Sequence, residues 1–147
     1  MNGQAVNSVG HICVAGTGCD NAPCCEAHSE RVARRIHSRH VVPEEQADGS
    51  VIYRPSSAAF SDSSDGSPMS AGILSIADAE EQLKGFRKHS LVSLSVGDIA
   101  GLAESQRVCK VPNRRNPSHA YVCGNKPHSI RVAMAKAADW EKLRPGS

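Results

Sequence analysis

The stretch Leu91-Val92-Ser93-Leu94-Ser95-Val96 alternates large apolar residues with serines: Val92, Leu94 and Val96 against Ser93 and Ser95. A period of two places the apolar set on one face and the serines on the other, which is the pattern of a half-buried strand. It is the clearest element of the chain. Asp98 follows it at a position suited to capping a short helix through Ala103. Further on, Val108 to Val111 is predicted as a strand closed by Pro112, and Ala120 to Cys123 as another, turned by Gly124-Asn125. Ser129 then caps a last helix, whose Ile130, Ala133, Met134, Ala137 and Trp140 recur at helical spacing.

Upstream, Ser75 with Asp78 resembles a capping box and opens a helix through about Leu83, with Gly85 as its stop. Ser61 to Ser70 is a polar loop. Val51 to Tyr53 is a short strand ended by Pro55, and Asp48-Gly49 makes the turn before it. Glu26 to His40 is predicted as a helix: Val32, Ala33 and Ile36 form an apolar stripe, Glu30 precedes Arg34 by one turn, and Arg31, Arg35 and Arg39 form a solvated face. The expected fold is α+β, with a small mixed or antiparallel sheet of about four short strands and an N-terminal and a C-terminal helix packed on it. The expected domain is a single unit over residues 26–143, between a Cys-rich arm (residues 1–25) and a tail (residues 144–147).

The 147-residue length suits one domain. With only five aromatics (Tyr53, Phe60, Phe86, Tyr121 and Trp140), the core must be built largely from aliphatic residues. No segment approaches the roughly 18 apolar residues of a membrane span, so no membrane partner is expected. Met1 to Gly10 lacks a basic run followed by an apolar segment, which argues against a secretory signal. The expectation is a cytoplasmic protein whose six cysteines are thiols or metal ligands. Charge is divided along the chain. Residues 1–106 carry 8 Lys and Arg against 13 Asp and Glu, and residues 107–147 carry 9 against 2. The basic third hints at an anionic partner, and nucleic acid is one such partner. Tyr121 is the only aromatic platform in its middle and no nucleic-acid module is present, so that reading is not favoured.

Three groups of residues carry possible chemistry. Cys13, Cys19, Cys24, Cys25 and His28 have the thiolate and imidazole groups that zinc prefers, but they lack a paired C-x2-C. No cofactor is expected, and zinc at these five residues is the alternative. Arg54, Ser56, Ser57 and Asp62 follow a strand and could serve a ligand site, or else pair and cap locally. Arg107, Lys110, Arg114, Arg115 and Lys126 surround His119, the histidine placed to act as a general base or donor. The candidate catalytic set is thus Arg54, Ser56, Ser57, Asp62 and His119. The candidate ligand-binding set is Arg54, Arg114, Arg115 and Lys126.

Arg54-Pro55-Ser56-Ser57-Ala58-Ala59-Phe60-Ser61-Asp62 and Asn116-Pro117-Ser118-His119-Ala120-Tyr121-Val122-Cys123-Gly124-Asn125-Lys126 are the two signatures of a resemblance. The chain resembles a set of short bacterial proteins of unassigned function over roughly Arg34 to Ala138, with a departure at Ala71. The resemblance implies a bacterial intracellular domain and no particular activity, cofactor or site residue. Two functions are therefore carried forward. One is an accessory protein that binds a protein partner. The other is a small enzyme or ligand-binding domain for an anionic, phosphorylated molecule, which requires the strand at Val51 and the strand at Ala120 to bring Arg54 and His119 together.

Overall fold

The computed structural model describes residues 29–103 and 106–144. Cys13, Cys19, Cys24, Cys25 and His28, the candidate zinc ligands, lie outside the described residues. The strands are β1 (Arg31–His37), β2 (Val41–Glu45), β3 (Val51–Pro55), β4 (Met69–Ile73), β5 (His89–Ser95), β6 (Arg107–Lys110), β7 (His119–Cys123) and β8 (Asp139–Lys142). The helices are α1 (Ala79–Leu83), α2 (Val96–Leu102) and α3 (His128–Ala137). Six strands form one antiparallel sheet in the order β6-β7-β4-β1-β5-β8, and β2 and β3 form a separate hairpin.

The fold is α+β as expected, but the sheet is larger and the first helix is absent. Residues 31–37, predicted as helix, are the central strand β1, paired with β4 and β5. Val32 and Ile36 stand four residues apart, and that spacing shares a face on a helix and on a strand alike. Tertiary pairing decides between them. Of the arginines expected on a solvated helix face, Arg39 is exposed, while Arg31 and Arg35 are bonded to neighbouring elements, as is Arg34. Arg31 Nε donates to Ser93 Oγ (2.9 Å) and its NH2 to Asp139 (2.8 Å), while Arg34 reaches the carbonyls of Ala59 and Ser70 and Arg35 that of Gln82. Their stems cover apolar neighbours while their heads satisfy carbonyls.

Three further elements differ from expectation. β4 (Met-Ser-Ala-Gly-Ile) begins inside the segment expected as loop, because its small residues carry little strand propensity. β8 takes the place of the last turns of the C-terminal helix. α3 ends at Ala137, and Trp140 pairs opposite Val92 and donates Nε1–H to the Tyr53 carbonyl at 3.0 Å. Caps also move by a few residues. Asp78, not Ser75, accepts from Glu81 N–H at α1, and Ser95, not Asp98, caps α2. Gly49, with φ 87°, makes the expected turn of the β2–β3 hairpin, a conformation open to glycine at low cost.

Register divides the sheet into two faces. Val32, Arg34 and Ile36 of β1 share one face with Val92, Leu94, Ile73, Met69 and Val122. On that face lie α3 and the short 3-10 turn Ser57–Phe60, and together they bury the main core. The other face carries Ala33, Arg35, Ser70, Gly72, His89, Leu91, His119, Tyr121 and Cys123. α1 covers only part of it, packing Leu83 on Ala33 and Leu91. At the far edge Cys109 and Cys123 are buried beside Tyr121 with their sulfurs 3.5 Å apart. Between these two patches the second face is open. No helix among the described residues is long and apolar enough to cross a membrane.

Candidate functional site

The open part of the second face is a cleft of about 820 Å³. Its size falls in the range of small-molecule sites. Sequence alternation builds the floor: on β1, β4 and β7 the residues pointing to this side in register are Ala33, Gly72 and His119. The first two are small and lie beneath α1, whose Leu83 packs on Ala33 and whose Gln82 lies over Gly72. Gly72 has a further reason to be glycine, since a Cβ there would collide with the Gln82 carboxamide that lies over it. Gln82 is held by Nε2–H donating to the Ala77 carbonyl at 2.8 Å. Its Oε1 accepts no hydrogen bond from a described residue and is an acceptor above the middle of the floor.

One wall is the loop from Arg115 to Ser118, leading into His119. Asn113 shapes it: its Oδ1 accepts from the backbone N–H groups of Arg115 (3.0 Å) and Asn116 (2.9 Å). Ser118 Oγ donates to Asn116 Oδ1 at 2.9 Å. Local side-chain bonds of this kind pre-form a loop without secondary structure. His119 Nδ1 lies 3.1 Å from the Val111 carbonyl, which can only accept, so Nδ1 donates to it. Nε2 faces Ser70 Oγ at 3.4 Å. That is longer than the roughly 2.6–3.2 Å over which a base takes a hydroxyl proton. The two polar groups stand side by side at the cleft, without a short hydrogen bond between them. Tyr121 packs edge-on against the His119 ring with centroids 4.9 Å apart, fixing its plane.

The opposite end is formed by β1, α1 and the segment after it. The Arg35 guanidinium lies 3.9 Å over the Phe86 ring. His89 meets Phe86 edge-on at 5.2 Å and His37 at 5.1 Å. Burial lowers the pKa of His89, with His37, Arg35 and Arg39 adding repulsion, and burial also lowers that of His40. His89 Nδ1 is buried and has no hydrogen-bond partner among the described residues, which fits an imidazole held neutral. Both folded-state values lie below the ordinary 6.5, so under that pH the unfolded chain binds more protons than the folded one. Stability is therefore expected to be lost as pH falls from about 7.5 to 5.5, read as a lower urea midpoint. His89→Gln should show a smaller drop over the same interval. An equal drop would remove His89 as a contributor.

The sequence candidates separate into four places. His119 and Arg115 line the cleft, and Arg114 is exposed on the same loop. Arg54 pairs with Glu44 across the β2–β3 hairpin and lies outside the cleft. Ser56 caps the 3-10 turn, accepting from Ala58 N–H at 3.2 Å, and Ser57 begins that turn. Asp62 and Lys126 meet each other under the main core: Lys126 Nζ donates to Asp62 (2.7 Å) and to the carbonyls of Val122 (2.6 Å) and Gly124 (2.9 Å). The expected convergence of Arg54 with His119 is thus corrected. The two signature segments do touch, but through Asp62 and Lys126. Sequence reasoning missed Arg35, Ser70, Gln82 and Phe86 as cleft residues. Arg35 had been assigned to a helix, and the others carry no local signal of a site.

Among the described residues no three His, Cys, Asp or Glu side chains come together to hold an ion. No family model matches the chain, and neither a curated protein nor a solved structure matches it.

Proposed function

We propose that this chain is a ligand-binding domain whose cleft takes a small molecule bearing a phosphate group. The observation that carries this reading is the wall of Arg115, Asn116, Ser118 and His119, which lines one side of the cleft of about 820 Å³. Arg115 forms no salt bridge with a described residue, and its fork of donors matches a phosphate bidentately. His119 and Ser70 supply a neighbouring imidazole and hydroxyl. Lys84 adds a second cation at the rim, against Asp78 and Glu81 of the α1 wall, which keep the cleft from being a uniformly basic surface. That mixture favours a small ligand with one anionic end over a polyanion lying across a basic face.

Titration calorimetry with ribose 5-phosphate and with inorganic phosphate tests the reading. Loss of a charge-assisted contact is expected to weaken ribose 5-phosphate binding by roughly tenfold or more in Arg115→Ala. His119→Ala should weaken it by several fold. Lys136→Ala, on the exposed side of α3, removes the same unit of charge far from the cleft and should leave binding unchanged. Equal losses in Arg115→Ala and Lys136→Ala would reduce the effect to net charge and defeat the assignment.

A further inference from the structure

We infer that the phosphate carried into the cleft belongs to a nucleotide, whose heteroaromatic ring stacks on the Arg35–Phe86 end; this rests on the phosphate-binding reading above. The cleft has two chemically different ends and a polar middle. At one end stand Arg115 and His119. At the other, the Arg35 guanidinium carbon lies 3.9 Å from the Phe86 ring centroid, and Phe86 stays 36% exposed at the rim. A flat π-system can stack at such an end, because any nucleobase offers a face to an aromatic ring or a guanidinium plane. His89 meets Phe86 edge-on and is itself met by His37, so the platform is braced without the ligand.

The spacing between the ends follows from the sheet. Ala33, Gly72 and His119 are in register on three adjacent strands, which sets β1 and β7 roughly 10 Å apart. Arg35 lies two residues further along β1 on the same face, roughly 7 Å along the strand. The two ends therefore stand roughly 12 Å apart between backbones, and side chains reach inward from both. A phosphate directly attached to a ring would not engage both ends. A phosphate and a ring joined through a sugar would. Midway, Gln82 Oε1 sits over Gly72 as an acceptor with no donor from a described residue. A sugar hydroxyl is a donor of the right kind at that place.

The test compares ligands that share the phosphate and differ in the ring. Adenosine monophosphate is expected to bind the full chain at least tenfold more tightly than ribose 5-phosphate, measured by calorimetry. Phe86→Ala should bring adenosine monophosphate down to the level that the same variant shows for ribose 5-phosphate. Phe86→Trp, which keeps a stacking face, should retain the difference. A single-stranded tetra-adenylate that binds more tightly than the mononucleotide would support the same chemistry and assign the nucleotide to a strand; weaker binding assigns it to the free mononucleotide. Equal affinity for adenosine monophosphate and ribose 5-phosphate would overturn the nucleotide assignment while leaving the phosphate site standing. Failure of both to bind would remove the phosphate reading as well.

Discussion

Replacing Asp62 with alanine is expected to cost the fold about 3 kcal/mol, read as a fall in the urea midpoint with an unchanged slope. The reason lies with its partner. The Lys126 side chain is only 2% exposed, whereas that of Asp62 is 41% exposed. Removing Asp62 leaves a buried ammonium with two carbonyls and no counter-charge. It also strips Met69 N–H of its acceptor at 3.0 Å, at the start of β4. Breaking a fully buried pair costs about 3–5 kcal/mol, and the half-exposed carboxylate places this case at the low end. Asp62→Asn keeps an oxygen for both donors and should cost clearly less. Adding Lys126→Met to Asp62→Ala should restore much of the loss, because the uncompensated charge is then gone.

The same pair sets a pH dependence. Burial holds Lys126 below the ordinary 10.5, and Asp62 is the chief group opposing that shift. Without Asp62 the folded-state value falls further. Between that value and 10.5 the unfolded chain binds more protons than the folded one, so stability rises with pH through the window. The Asp62→Ala variant is expected to recover stability as the solution is made alkaline toward 10.5, and to do so more than the parent chain. Denaturant titrations at several alkaline pH values measure this. A cost independent of pH would mean that Lys126 does not carry the penalty.

Legibility in the sequence followed the distance over which each feature is decided. Strand β5 and helix α3 announce themselves locally, by alternation from Leu91 onward and by Ile130, Ala133, Met134 and Ala137. The turn at Asp48-Gly49 is equally local. β1 is decided elsewhere. Its apolar spacing fits helix or strand, and only β4 and β5, contributed by residues 69–73 and 89–95, select the strand. Trp140 continued the α3 stripe on paper, yet its partner is Tyr53, 87 residues away. The Asp62–Lys126 pair spans 64 residues and has no local trace at all. His119 and Arg115 were legible as candidates because a basic loop before a strand is a local pattern. Ser70, Gln82 and Phe86 join them only once the sheet is assembled.

Phe60→Ala is the second large effect expected, at about 3–5 kcal/mol. Phe60 is fully buried and is the largest buried side chain of a core otherwise built mainly from aliphatic residues and methionines. It belongs to the turn Ser57–Phe60, which packs against α3 over the first face of the sheet. Truncation leaves a cavity in that core, which the surrounding structure closes only in part. A small domain has about 5–15 kcal/mol in total, so this one change removes a large share. Phe60→Leu keeps most of the buried area and should cost much less. The contrast with Phe86→Ala is sharp, because Phe86 sits at a rim and its loss should be felt in ligand affinity more than in stability. Hydrogen exchange adds a spatial check. If the turn ties α3 to the sheet as one unit, Phe60→Ala should speed exchange in α3 and in β5 together. Faster exchange in α3 alone would show that the helix opens independently of the sheet. In that case the first signature segment would serve the docking of one helix. With joint exchange it serves the whole fold: Phe60 fills the core, and two residues later Asp62 holds Lys126 of the second signature.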